Sequence, residues 1–167
     1  RCGYIESMAL SAQQVQFFRI DGYLIVPDLW GPNELEPLRE EMHRFIGGVV
    51  DGLARDGKLT DRHDSEGFDH QLARIQADAA DNGRAIIRAL EGVAGGGYTG
   101  REMFELLRHP KLLAAIESLV GPEIVASSVY RVRPKVPGRT VGVVPWHQDS
   151  GYFEAHCDQH LIITCWV

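Results

Sequence analysis

The sequence predicts an α+β domain, helical over residues 8–121 and β-rich over residues 122–167. Three observations carry this. Apolar residues recur at helical spacing in several separate segments before Gly121. Gly121-Pro122 is a strong helix stop. Beyond it the texture becomes β-branched and alternating. Helices first and strands last suit helices packed outside a sheet, and three late strands form the first part of a barrel or sandwich rather than a whole one.

Ser11 is placed to cap a short helix carrying Val15, Phe17, Phe18 and Ile20, and Asp21-Gly22 ends it with a residue suited to the left-handed conformation. Tyr23–Val26 reads as a short strand stopped by Pro27. Gly31-Pro32 then opens a longer helix, with Pro32 near its first turn. Leu35, Leu38, Met42, Phe45, Ile46 and Val49 give that helix one apolar face, and Glu34, Glu36, Arg39, Glu40, Glu41 and Arg44 a solvated one. Residues 55–70 are polar and read as a loop. Helical patches return at Gln71–Ala79 and Arg84–Leu90, and Arg101–Arg108 and Pro110–Val120 form two more. Gly95-Gly96-Gly97 is a break and not a phosphate loop, because no Lys-Ser/Thr follows at the required spacing. The three strands are expected at Glu123–Arg133, Val141–Gln148 and Leu161–Val167, with Pro134–Thr140 as a loop.

A chain of 167 residues, 44% hydrophobic and 24% charged, suits one soluble domain with a sizeable core. A net charge of -6 argues against nucleic acid as the main partner. No apolar run approaches the ~20 residues needed to cross a bilayer. The N-terminal residues lack the charged-then-apolar order of a secretory signal. Three cysteines, Cys2, Cys157 and Cys165, without paired spacing point to a reducing, cytoplasmic setting, and Cys165 reads as a small strand hydrophobe. The sequence sets no oligomeric state.

The residues that carry chemistry lie at Trp146-His147-Gln148-Asp149. On a strand, side chains at i and i+2 share a face, so His147 and Asp149 project together and Gln148 points the other way. One imidazole and one carboxylate so placed form two corners of the 2-His-1-carboxylate triad that holds non-haem iron(II). The competing reading is a structural His–Asp hydrogen bond. A second H-x-D match, His156-Cys157-Asp158, stands in a polar stretch, with His160 completing an alternating set. Positions i and i+4 of a strand lie about 13 Å apart, too far for ligands that each approach a metal to ~2.0–2.2 Å. A helical turn would bring His156 and His160 together, but the local sequence is a poor helix, so this set reads as a solvated loop. Arg131 and Arg133 share a strand face, with Lys135 and Arg139 nearby. They either meet an anionic substrate or cosubstrate or form an exposed basic hairpin.

The wider pattern resembles the phytanoyl-CoA dioxygenase family of Fe(II)- and 2-oxoglutarate-dependent oxygenases. Phe17–Pro27 is similar to that family's opening helix and strand. His109–Pro122 is similar to the helix and stop before its barrel, Trp146–Asp149 with Gly151-Tyr152 to its metal motif, and Leu161–Trp166 to the next barrel strand. The resemblance implies a double-stranded β-helix (jelly-roll, cupin-like) core. It makes His147 and Asp149 the first two iron ligands and Trp166 a cosubstrate-pocket candidate, a core role for Trp166 remaining open; Gln148 and, from the basic strand face, Arg133 are further cofactor-binding candidates, neither standing in for the family's Arg. It also implies hydroxylation of a C–H bond of a small organic substrate or acyl thioester, using O2 and 2-oxoglutarate. An Asp at position 149 favours hydroxylation over halogenation, since related halogenases carry a small residue there. The family's distal His and its 2-oxoglutarate-binding Arg fall downstream of Val167. The expectation is therefore that residues 1–7 are an appended or upstream remnant, and that 8–167 form the N-terminal portion of a single oxygenase domain. Two other readings compete: a catalytically incomplete fragment or pseudoenzyme, and a cupin-like metal-binding domain.

Overall fold

The computed structural model describes residues 9–92, 98–127, 130–136, 145, 147 and 149–167. Among them the chain forms helices α1 (Ala12–Asp21), α2 (Glu36–Arg55), α3 (Phe68–Asp78), α4 (Ala80–Glu91), α5 (Arg101–Leu107) and α6 (Pro110–Val120), with short 3-10 turns at Asp64–Glu66, Asp149–Tyr152 and Ala155–Gln159.

The cap chemistry read from the sequence accounts for α1. The Ser11 hydroxyl accepts from the Gln14 N–H, and the Gln14 side chain returns the bond to the Ser11 N–H. At the other end Gly22 sits at φ 77° and donates its N–H to the Phe18 carbonyl, a conformation that costs glycine little. The Leu10 N–H donates to Ser118 Oγ at 3.0 Å, tying the start of α1 to α6.

The start of α2 differs from expectation. It begins at Glu36, with Pro37 in its first turn rather than Pro32. Residues 31–35 instead form turns, closed by Glu34 N–H to the Gly31 carbonyl and Glu36 N–H to the Asn33 carbonyl. The Glu34 carboxylate also accepts from the Gly31 N–H and from Lys111 of α6, so this turn is fixed by its tertiary partners. Pro37 satisfies the same rule that suggested Pro32, since a first-turn N–H has no helical acceptor to lose.

Helix α3 starts at Phe68, three residues before the expected Gln71, because Gly67 at φ 70° turns the chain directly into it. The polar loop before it is held onto the helices. Gln71 Nε2 donates to the Arg62 carbonyl at 2.9 Å, Asn82 Nδ2 to the Lys58 carbonyl at 2.8 Å, and Leu59 is buried. Helices α3 and α4 pack closely, and α2 lies against α4 and α5. The core lies between them: Ile46 and Val50 of α2, Leu72 and Ile75 of α3, Ile86, Ile87 and Leu90 of α4, with Tyr98 and Met103. No described helix is long and apolar enough to cross a membrane.

The expected strands are the main correction. Among the described residues no β-strand is present: Tyr23–Val26, the described part of Glu123–Arg133, and Leu161–Val167 carry no ladder. Alternation and β-branching favour an extended backbone, but a strand also needs a partner's N–H and C=O groups, which local sequence does not supply. The period-two pattern survives in burial. Tyr130, Val132, Pro134 and Val136 are half-buried, while Arg131, Arg133 and Lys135 are exposed. Tyr130, Val132 and Val136 pack against the helical core, which seats this segment on the helices. Gly95–Gly97, Arg139, residues 141–144, Trp146 and Gln148 lie outside the described residues, and with them most of the second expected strand.

Candidate metal centre

His147 and Asp149 do come together, though by a turn rather than by strand alternation. Asp149 opens the 3-10 turn Asp149–Tyr152, which directs its carboxylate back at the imidazole. His147 Nε2 lies 2.9 Å from Asp149 Oδ1, and His147 Nδ1 lies 2.8 Å from the Pro145 carbonyl oxygen. Tyr152 packs edge-on against the imidazole, with ring centroids 5.7 Å apart. The second carboxylate oxygen, Oδ2, accepts from the Thr164 hydroxyl of the C-terminal segment. Both ligand candidates stay accessible, with side-chain exposures of 37% for His147 and 40% for Asp149.

One of these contacts fixes the direction of a hydrogen bond. A carbonyl only accepts, so Nδ1 carries a hydrogen and donates it to Pro145. Nε2 then faces Asp149, either with a proton that it donates to the carboxylate or, where a metal ion is bound, with its lone pair. The Thr164 hydrogen bond, followed by the hydrogen bond and charge of His147 and the charge of Arg133, holds the Asp149 carboxyl below its usual range against the opposing effect of burial. An ionised carboxylate is also only an acceptor. Two acceptors at 2.9 Å repel unless a cation lies between them, either a proton on Nε2 or a metal ion. Two ligands each at ~2.1 Å on adjacent corners of an octahedron are themselves roughly 3 Å apart. The donor set, the spacing and the Nδ1–H bond to a backbone carbonyl, which orients metal-bound histidines, therefore all fit a metal ion.

Of the cofactor-binding candidates, Arg133 lies near the pair, close enough for its charge to act on Asp149. Lys135 Nζ stands 5.8 Å from the centroid of the Trp166 ring. Trp166 is 73% exposed in this chain. Gln148 lies outside the described residues. His147 and Asp149 remain a pair: among the described residues no three His, Cys, Asp or Glu side chains are grouped to hold a metal ion. The second H-x-D match, expected as a loop, forms the 3-10 turn Ala155–Gln159, with His156 and His160 both exposed.

Two contributors escape a motif reading. The Pro145 carbonyl is a backbone group and leaves no residue signature. Thr164 had one signal, a hydroxyl standing alone in the otherwise apolar Leu161–Val167 run.

Comparison with known proteins places this geometry in context. The family model for phytanoyl-CoA dioxygenase (PhyH) matches residues 18–167. Among curated proteins, the peroxisomal phytanoyl-CoA dioxygenase of Mus musculus is 23% identical over 170 residues, covering 98% of this chain and 44% of that protein. The protein of the same name from Bos taurus is 22% identical over 167 residues, covering 97% of this chain and 43% of that protein. The chain thus spans less than half the length of these relatives. No solved structure matches it.

Proposed function

Because the chain belongs to the phytanoyl-CoA dioxygenase family, we propose that it supplies two ligands of an Fe(II)- and 2-oxoglutarate-dependent dioxygenase that hydroxylates a C–H bond of a small organic molecule or acyl thioester. The observation that carries the reading is the 2.9 Å approach of His147 Nε2 to Asp149 Oδ1, with the other imidazole nitrogen committed to Pro145. That arrangement sets an imidazole nitrogen and a carboxylate oxygen side by side. Residues 8–167 form the first part of a jelly-roll oxygenase domain, whose third ligand comes from outside the described residues. The chemistry supplied when iron(II) and 2-oxoglutarate are bound is O2-dependent hydroxylation, with succinate and CO2 as coproducts.

The chain's own residues bind and orient. His147 and Asp149 hold the cation. Arg133 presents a positive charge beside it for a carboxylate of the cosubstrate, Trp166 offers a flat apolar wall, and Gln148 lies between the two ligands in sequence. A reducing, cytoplasmic setting belongs to the same proposal and rests on the cysteine spacing alone.

The test is succinate formation by the intact protein with Fe(II), 2-oxoglutarate and a panel of candidate substrates, alongside titration with Mn(II). His147→Ala and Asp149→Ala are each expected to abolish Mn(II) binding. Normal Mn(II) binding by both variants overturns the assignment.

A further inference from the structure

We propose that Thr164 is a positioning residue for the metal ligand Asp149, holding the carboxylate so that only Oδ1 is offered to the cation. The inference rests on the metal reading above and assigns a role to a residue outside the motif.

The geometry forms one chain of contacts. The His147 Nδ1–H donates to the Pro145 carbonyl, Nε2 faces Asp149 Oδ1, and the Thr164 hydroxyl donates to Asp149 Oδ2. A carboxylate turns easily about its last side-chain bond, where the torsional wells are broad. Left alone, Asp149 would present either oxygen, or both together. Thr164 removes that freedom by occupying Oδ2. The direction of the bond is fixed, since an ionised carboxylate cannot donate and the hydroxyl must. Threonine suits the task because its branched Cβ restricts the torsion that aims the hydroxyl.

The consequence concerns coordination number. A carboxylate bound through both oxygens takes two positions on a metal, whereas one bound through Oδ1 alone takes one. A facial triad works by leaving positions open for other ligands, so holding Oδ2 away from the cation preserves a position. Thr164 comes from a segment 15 residues further along the chain than Asp149. The same segment carries Trp166, which lies near Lys135. The hydroxyl therefore also joins the metal-binding turn to the segment bearing the flat wall of the site.

The experiment compares Thr164→Val, which keeps the branched shape and removes the donor, with Thr164→Ser, which keeps the donor and removes the methyl group. Both are made in the intact protein, beside His147→Ala and Asp149→Ala. Mn(II) affinity is read by titration, and the visible absorption spectrum of the Co(II)-loaded protein reports ligand number and geometry. Thr164→Val is expected to weaken Mn(II) binding by about 10- to 100-fold and to change the Co(II) spectrum, while Thr164→Ser keeps both close to those of the unsubstituted protein. Thr164→Ala, read the same way, stands in should the valine variant fail to fold. Unchanged affinity and spectrum in Thr164→Val, with binding lost in His147→Ala and Asp149→Ala, overturn the role of Thr164 and leave the metal site standing. Failure of Thr164→Ser to restore the spectrum also overturns it, by pointing to packing of the methyl group. Unimpaired binding in His147→Ala and Asp149→Ala overturns the metal reading itself.

Discussion

Glu41 and Tyr98, 57 positions apart in the chain, are joined by a 2.5 Å hydrogen bond from the phenol to the carboxylate. The same carboxylate accepts the backbone N–H groups of Arg101 at 3.0 Å and Glu102 at 2.8 Å, so a side chain of α2 caps the start of α5. This satisfies donors that a helix start leaves free. Gly100 makes room for it, since a Cβ there would strike both the Tyr98 hydroxyl and the Glu41 carboxylate. Tyr98 is 3% exposed, so removing its acceptor leaves a buried hydroxyl without a partner. Glu41→Ala, which removes the acceptor, is expected to cost about 1–3 kcal/mol, measured by urea unfolding at neutral pH.

The pH dependence of the same pair has a definite sign at each end. The Tyr98 hydrogen bond, with the two backbone N–H groups, holds the Glu41 carboxyl below its usual range. The unfolded chain therefore binds that proton more tightly, and the stabilisation present above about pH 4 is lost as pH falls through the lowered folded value. Burial, then the Glu41 hydrogen bond, pushes the Tyr98 phenol up. Its contribution is complete below about pH 10 and is lost as pH rises toward the folded value. Urea midpoints followed across pH should fall at both extremes, with the acid-side slope reduced in Glu41→Gln.

Glycines in two helices should respond to alanine with opposite signs. Gly83 of α4 is buried, and a Cβ there would lie 2.8 Å from Gln76 Cα of α3. That contact is with backbone, so relief requires the helices to part, and Gly83→Ala should destabilise by about 1–3 kcal/mol. Gly48 of α2 is exposed, with nothing within 4 Å of its would-be Cβ. There alanine only removes unfolded-state freedom, and Gly48→Ala should stabilise by roughly 0.5–1 kcal/mol. Thermal and urea unfolding of the two variants check both signs.

Local chemistry decided what the sequence made legible. The α1 caps at Ser11 and Gly22, the Pro110 start of α6 and its Gly121 stop are short-range features, and all appear as read. The move from Pro32 to Pro37 goes with a partner far away in the chain, Lys111 for Glu34, which no local pattern reveals, and the early start of α3 with the positive φ of Gly67. The strands are the extreme case, because alternation marks a tendency and a ladder needs a neighbour. At the site, the H-x-D spacing brought His147 and Asp149 together by a route other than the one argued, a 3-10 turn. Thr164 and the Pro145 carbonyl entered only through three-dimensional contact.

Metal affinity at the pair should weaken as pH is lowered, because each ligand must be free of its proton to bind a cation. Asp149 is held below the usual carboxylate range by Thr164, His147 and Arg133. Its share of the proton competition is therefore deferred to more acid conditions than an ordinary aspartate would show. Thr164→Val removes the first of those influences, so the acid limb of the Mn(II)-affinity profile should move to higher pH in that variant. Titrations at a series of pH values, with and without the substitution, measure the displacement.

Arg133 should affect cosubstrate and metal in opposite directions. Its positive charge lies close enough to lower the Asp149 carboxyl, so by charge alone it repels a cation bound there and attracts an anion. Removing a charge-assisted hydrogen bond to a carboxylate costs about 1.5–3 kcal/mol, roughly 10- to 100-fold in affinity. Arg133→Ala should therefore raise the 2-oxoglutarate concentration for half-maximal succinate formation by about that factor. Mn(II) affinity in the absence of 2-oxoglutarate should be unchanged or tighter, because a repulsive charge has gone. Arg131→Ala supplies the comparison, since Arg131 shares the exposed face but does not figure among the charges acting on Asp149. Equal losses of Mn(II) and 2-oxoglutarate affinity in Arg133→Ala would show that the arginine supports the fold of the segment and not the anion.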